Sequence, residues 1–239
     1  RLSGDIYDAD KMIPVHQAAN DRTSLFDVYL HQMILSYLFY DYDEAVAKAD
    51  QVEKYSDGVT GMLYVPLMVF YACLARLALC RTITGKKKRM TLKKIFKDRR
   101  KLKKWAVNAP ENFLHKYKLI EAEYARLRKD EVLARNFYHE AIQLSTRHEY
   151  LNERAVSSEL FAQFWLERDE KDIARLYMNR ARHEYQVWGA AGKVKHLDES
   201  YSGLIDRPLI SHSKSFSSRI TSTTASGYSP GNIDTLSVM

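Results

Sequence analysis

The residue types that carry enzyme chemistry are present in this chain, but their spacing does not bring them together. Three His-Glu pairs, His139-Glu140, His148-Glu149 and His183-Glu184, could each open a zinc-hydrolase HExxH helix, and each lacks the second histidine four residues on. Gly85-Lys86 has no glycine five residues earlier, so TGKKK is not a phosphate-binding Walker loop. No GxGxxG, HRD, DFG or GxSxG motif occurs. Cys73 and Cys80 lie seven residues apart on one expected helix, roughly 10 Å, too far to bridge and without the partners of a zinc site. They read as reduced, buried small hydrophobes, which favours a cytoplasmic protein. His115 sits between Leu114 and Lys116 and reads as a packing or capping histidine. Glu121 and Glu123 are two apart, on different helix faces, and make no acid–base couple. The sequence therefore contains no catalytic, metal-binding or cofactor-binding set.

One chemical feature survives. Residues 86–104 hold twelve Lys or Arg against the single Asp98, a local charge of +11 in a chain of net +7, so the remainder is near −4. Leu92, Ile95, Phe96, Leu102 and Ala106 follow three- and four-residue spacing and predict an amphipathic helix buried along that stripe. The candidate interaction surface is the opposite face, with Lys93, Lys94, Lys97, Arg100, Lys101 and Lys104. Such a face suits an acidic neighbouring domain, a phosphate backbone or an anionic membrane, and Lys86-Lys87-Lys88-Arg89 also has the character of a nuclear-import signal. No aromatic platform is interleaved with the charges as in single-strand binders, since Trp105 is alone and is expected to pack inward.

The elements that position this helix are helical throughout. The chain has 239 residues, 46% hydrophobic and 12% aromatic, with only nine Gly and five Pro. That composition excludes wholesale disorder and favours helix over sheet. Residues 1–22 form a lead-in, with a short helix expected after Pro14. Thr23 or Ser24 then caps a helix to about Phe39, and Asp41-Tyr42-Asp43-Glu44-Ala45 turns into a helix ending near Tyr55. Residues 58–75 carry no charge until Arg76 and touch the length of a membrane span, but Pro66, Tyr64 and Tyr71 favour a central buried helix.

Trp105-Ala106 ends the basic helix, and Pro110 with Glu111 opens the next at a position a helix tolerates. Residues 111–128 pair with 131–147, and 150–168 with 171–188. Leu127 superposes on Leu166 and Asp130 on Asp169 at an offset of 39, while Phe137 on Tyr177 and Ala141 on Ala181 give 40, so one turn is expected to be a residue longer. A period of about forty is the signature of stacked helix pairs, a tetratricopeptide-like α-solenoid. In such repeats the turn before Asp41 commonly carries Gly, where this chain has Tyr40. The helical-repeat domain is placed at residues 23–200, closed by a short helix over 190–200. Residues 201–231 read as a flexible Ser/Thr-rich linker and 232–239 as the start of a following helix. The chain begins at Arg1 and stops inside that helix start, which suggests a segment of something longer.

Several of these motifs resemble the helical region of large sensor and hybrid histidine kinases. Those proteins begin with a Ser/Thr-kinase-like domain and an AAA-type ATPase, and a GAF domain and histidine-kinase core follow. The resemblance rests on Arg22-Thr23, Tyr37 to Tyr42 and Ala45. It continues in Leu102 to Ala106, Pro110 to Tyr117 and Glu121-Ala122-Glu123, then Trp188-Gly189-Ala190, Lys193-Val194 and His196-Leu197. Tyr40 and the long Ser/Thr linker depart from the pattern and suggest fungal members. The resemblance implies a non-catalytic connector in two-component phosphorelay signalling, with ATP bound only by other domains of the parent protein. No family catalytic residue maps here; none of the His-Glu pairs has the Arg/Lys-Thr-Pro continuation of a phosphoacceptor site. The implied partners are neighbouring domains of the same polypeptide or other proteins. The alternative from the residues alone is a free-standing adaptor that binds nucleic acid or anionic partners through residues 86–104.

Overall fold

The computed structural model describes residues 7–59, 61 and 64–205, and the described part is all-helical. In order these are α1 (Ala9–Ala18), α2 (Arg22–Leu38), α3 (Tyr42–Val52), a 3-10 segment (Glu53–Val59), α4 (Tyr64–Leu79) and α5 (Gly85–Asn108). Then come α6 (Pro110–Leu127), α7 (Glu131–Arg147), α8 (Leu151–Leu166), α9 (Lys171–Trp188) and α10 (Ala191–Ser200). The expected linker beyond residue 205 and the helix start at 232–239 lie outside the described residues.

The corners explain why these sequences turn where they do. Asn20, Tyr40, Lys129, Glu149, Asp169 and Gly189 all have positive φ, between 50° and 86°. Within each run they recur every twenty residues. After each one, the next amide N–H donates back five residues, for example Asp41 to the Ser36 carbonyl at 2.9 Å and Glu170 to the Trp165 carbonyl at 3.1 Å. This is the Schellman closure, which satisfies the free carbonyls at a helix end. The residue making that bond starts the next helix: Asp21, Asp41 and Asp130 accept from Ser24, Glu44 and Leu133 amides. Lys129 and Asp169 are thus equivalent, as are Asp130 and Glu170, so the corner offset is 40 and neither turn is longer. Thr23 and Ser24 lie inside α2, because Asp21 takes the capping role. Pro14 lies within α1 rather than before it, since the helix already starts behind Asp8.

Contacts run in series. Each helix from α1 to α10 packs on the next, and α2, α4, α6 and α8 also touch in succession. Residues 68–79 on α4 and 155–164 on α8 are buried without a break, so these stretches are covered on every side. By contrast α5, α7 and α9 bury one stripe each. Helix α4 runs past Arg76, which is 1% exposed rather than marking an end. No described helix is long and apolar enough to cross a membrane.

Candidate interaction surface

Helix α5 is held by one stripe. Ile95, Leu102 and Ala106 are buried, joined by Thr91 and Asp98, with Leu92 and Trp105 partly buried against the core. Asp98 is the anchor. It accepts from Arg76 Nη1 of α4 at 2.6 Å, and Arg76 Nη2 reaches Glu53 at 2.6 Å and Asp50 at 3.2 Å. Burial pushes the Asp98 carboxyl up, against the pull of Arg76. Burial works against the charge of Arg76 too, but Glu53 and Asp98 raise its pKa above the usual arginine value. A buried charge survives here because it has partners from α3, the 3-10 segment and α5.

Phe96 does not join that stripe. It is 59% exposed, since the helix turn places it about 100° from Ile95, towards Lys93 and Arg100. Met90 and Val107 are also exposed on α5. All six candidate residues, Lys93, Lys94, Lys97, Arg100, Lys101 and Lys104, are exposed, so the structure brings them to the solvent side of one helix. Lys94 belongs to the edge facing α3: it reaches Asp50 at 2.6 Å, as Lys87 one heptad earlier reaches Asp43 at 3.2 Å. Arg99, at the other edge, makes two bonds to Glu121 of α6 at 2.8 and 2.7 Å and lies 3.6 Å over the Tyr124 ring. Between these edges Lys93, Lys97, Arg100, Lys101 and Lys104 have no ion pair among the described residues. The result is a cationic strip with Phe96 in it, bordered by charges that are already neutralised.

The acid–base clusters that sequence reasoning missed lie inside. Glu159 of α8 accepts from Tyr40 at the α2–α3 corner and from Lys193 of α10 at 2.8 Å, and its other oxygen accepts from Tyr185 of α9 at 2.6 Å. Lys193 also donates to the Leu38 carbonyl at the end of α2, so a cation caps that helix C-terminus. Burial lowers the Lys193 pKa and Glu159 opposes it; burial raises the pKa of both tyrosines. A buried lysine with weakened proton affinity beside two hydroxyls is the raw material of general-base chemistry. The space there is about 10 Å³, however, too little for a substrate. The cluster holds helices together.

A second cluster joins Glu123, Arg126 and Tyr138. Burial alone would raise the Glu123 carboxyl, and Arg126, donating at 2.9 Å, together with Arg81 and the Tyr138 hydroxyl brings it below the usual carboxylate value. In a third, Lys116 pairs with Glu153 at 2.8 Å and donates to His115, whose ring stacks on Tyr150 at 4.3 Å. Burial, then the charge of Lys116, lowers the His115 pKa to about 3, so this histidine is neutral packing at physiological pH. Glu121 and Glu123 do point apart, one to Arg99 and one to Arg126. Among the described residues no group of His, Cys, Asp or Glu is arranged to hold a metal. Cys73 and Cys80 are free and buried. No known family model, no curated protein and no solved structure matches this chain.

Proposed function

We propose that this chain is a non-catalytic helical-repeat module whose contact with its partner is the outer face of α5. The observation that carries the reading is the set of exposed cations at Lys93, Lys97, Arg100, Lys101 and Lys104, which share one side of one helix and have no ion pair among the described residues. Successive packing of α2, α4, α6 and α8 and the twenty-residue corner spacing support a tetratricopeptide-like array of helix pairs. The partner is an acidic protein surface, for which a cationic strip supplies steering and register. On the sequence resemblance, that surface belongs to a neighbouring domain of a cytoplasmic sensor histidine kinase. The module then connects its ATPase half to its GAF and histidine-kinase half in phosphorelay signalling, and ATP is bound elsewhere in the parent. Sequencing the transcript on both sides tests this: a frame that continues into a Walker-type ATPase upstream and a GAF domain downstream supports it. Stop codons close to Arg1 and Met239 would remove the connector reading.

A second reading is favoured by one observation, the exposure of Phe96 among the cations, which offers a base-stacking side chain beside phosphate contacts. It requires binding to DNA or RNA that weakens steeply with salt and disappears when Lys97, Arg100, Lys101 and Lys104 are changed to Glu. Absence of binding at low salt eliminates it.

A further inference from the structure

Another set of cations converges where α4, α6 and α8 end. Just beyond α4, and where α6 turns into α7 and α8 into α9, a cleft of about 400 Å³ is lined by Arg81, Lys88, Arg126, Lys129 and Arg168. That volume lies within the usual range for small-ligand sites, about 300–1,000 Å³. Only two carboxylates, Glu131 and Glu167, face these five cations.

The ion pairs do not exhaust the charge. Glu167 is gripped by Arg126 at 2.6 and 2.9 Å and approached by Arg81 at 3.3 Å. Glu131 takes one contact from Arg168, at 3.1 Å. Arg126 is further committed to Glu123 behind it. Lys88 and Lys129 have no ion pair among the described residues, and the Nε–H of Arg168 is shut off from solvent without an acceptor. Lys88 is half-buried here, whereas Lys86, Lys87 and Arg89 beside it are exposed. It stands in the first turn of α5, which Thr84 leaves without a side-chain cap and which contains no acid. Lys129 sits at a positive-φ corner that holds it at the mouth. A fold that needed only corner salt bridges would have no use for these two lysines.

We propose that this cleft is a binding site for a phosphate-bearing polyanion. Arg81 offers a planar fork that matches phosphate oxygens, and Lys88 beside it and Lys129 from the α6–α7 corner act as point charges. Arg168 is already committed, donating to the Phe164 carbonyl at 2.8 Å and stacking 3.6 Å over the Phe164 ring, and forms a fixed wall. Arg126 with Glu167 forms a fixed floor. Glu131 and Glu167 make the site select for several negative charges, because a single carboxylate ligand gains little over the carboxylates already in place. The chemistry is shared by free polyphosphates and by peptides phosphorylated at adjacent residues. The site is independent of the α5 outer face and of the partner proposed for it.

The test is calorimetric titration of the whole chain with tripolyphosphate and, separately, with a doubly phosphorylated peptide, at low and at physiological ionic strength. Saturable one-to-one binding of either probe is expected, and the probe that binds identifies the source. Lys88→Glu and Lys129→Glu should each weaken it about tenfold, as expected for one charge-assisted contact. Lys97→Glu with Arg100→Glu, on the outer face of α5, should leave it unchanged. Neither Lys88 nor Lys129 supports the core, and an unaltered melting curve verifies that the variants are folded. Failure of both probes to saturate overturns the proposal. So does binding that survives the Lys88→Glu, Lys129→Glu double variant, or that is lost with the outer-face pair.

Discussion

The Glu159 cluster and the outer face of α5 use the same residue types to opposite ends. Around Glu159, a lysine 3% exposed is held by a carboxylate, a backbone carbonyl and the rings of Tyr40 and Tyr185, and it ties α10 to α2 across 155 residues of sequence. On α5, five lysines and arginines face water with no ion pair among the described residues. In the first place charge is surrounded and makes structure; in the second it is unspent and makes a surface. Which role a lysine takes is decided by desolvation, since an unpaired charge inside is expensive and one outside is nearly free.

The contrast can be broken most forcefully from the inside. Glu159→Ala strands Lys193 without its counter-charge, and loss of a partner from a buried pair costs about 3–5 kcal/mol, visible as a lower urea midpoint. A midpoint near that of the parent chain would mean that the cluster is incidental. Next in size is acid sensitivity. His115 titrates near pH 3 in the fold and near 6.5 in the unfolded chain, so the unfolded state takes up the proton first. Its contribution is fully present above pH 6.5 and declines as pH falls, by about 1.4 kcal/mol per unit, or about 2 kcal/mol at pH 5. Thermal melts from pH 7 to 4 should show this slope, and His115→Gln should flatten it.

Tyr40→Phe removes one donor to Glu159 and should cost about 1.5 kcal/mol. Tyr40→Gly sharpens that result: it relieves the backbone at φ 68° yet should still destabilise, because the hydroxyl and ring contacts go as well. A stabilised glycine variant would show that the repeat's usual residue is better here and the cluster unimportant. The smallest expected effect lies outside. Charge reversal at Lys97, Arg100, Lys101 and Lys104 should move the melting temperature by no more than about 2 °C.

How far the sequence led depends on which force was in charge. Helices α6 to α9 were legible almost to the residue, because periodic apolar positions mark them, with Pro110 opening α6 and Asp130 capping α7. The corners were not, as Tyr40, Lys129, Glu149 and Asp169 take a conformation for which glycine is the usual signal. An acidic residue follows the corners at Asn20, Tyr40, Lys129 and Asp169, but Tyr150 follows Glu149, so acid spacing alone would have found only part of the set. The basic helix was legible as an element, but Phe96 was placed on the wrong face. Three- and four-residue spacing admits two neighbouring stripes, and only the packing of Ile95 and Leu102 against α4 and α6 chooses between them. Lys193 and Glu159 carried no signal at all: a charged residue in a helix reads as solvated until tertiary contacts bury it. Arg76 gave a partial one, an isolated charge closing an apolar run.

The central claim is that the cations of α5 serve a partner and not the fold. The direct test is fluorescence titration with poly-glutamate, a stand-in for an acidic protein surface, of the parent chain and the Lys97→Glu, Arg100→Glu, Lys101→Glu, Lys104→Glu variant, with melting curves alongside. The account expects saturable, salt-weakened binding by the parent chain, none by the variant, and matching melts. Equal binding by both chains, or a variant that no longer folds, would contradict it.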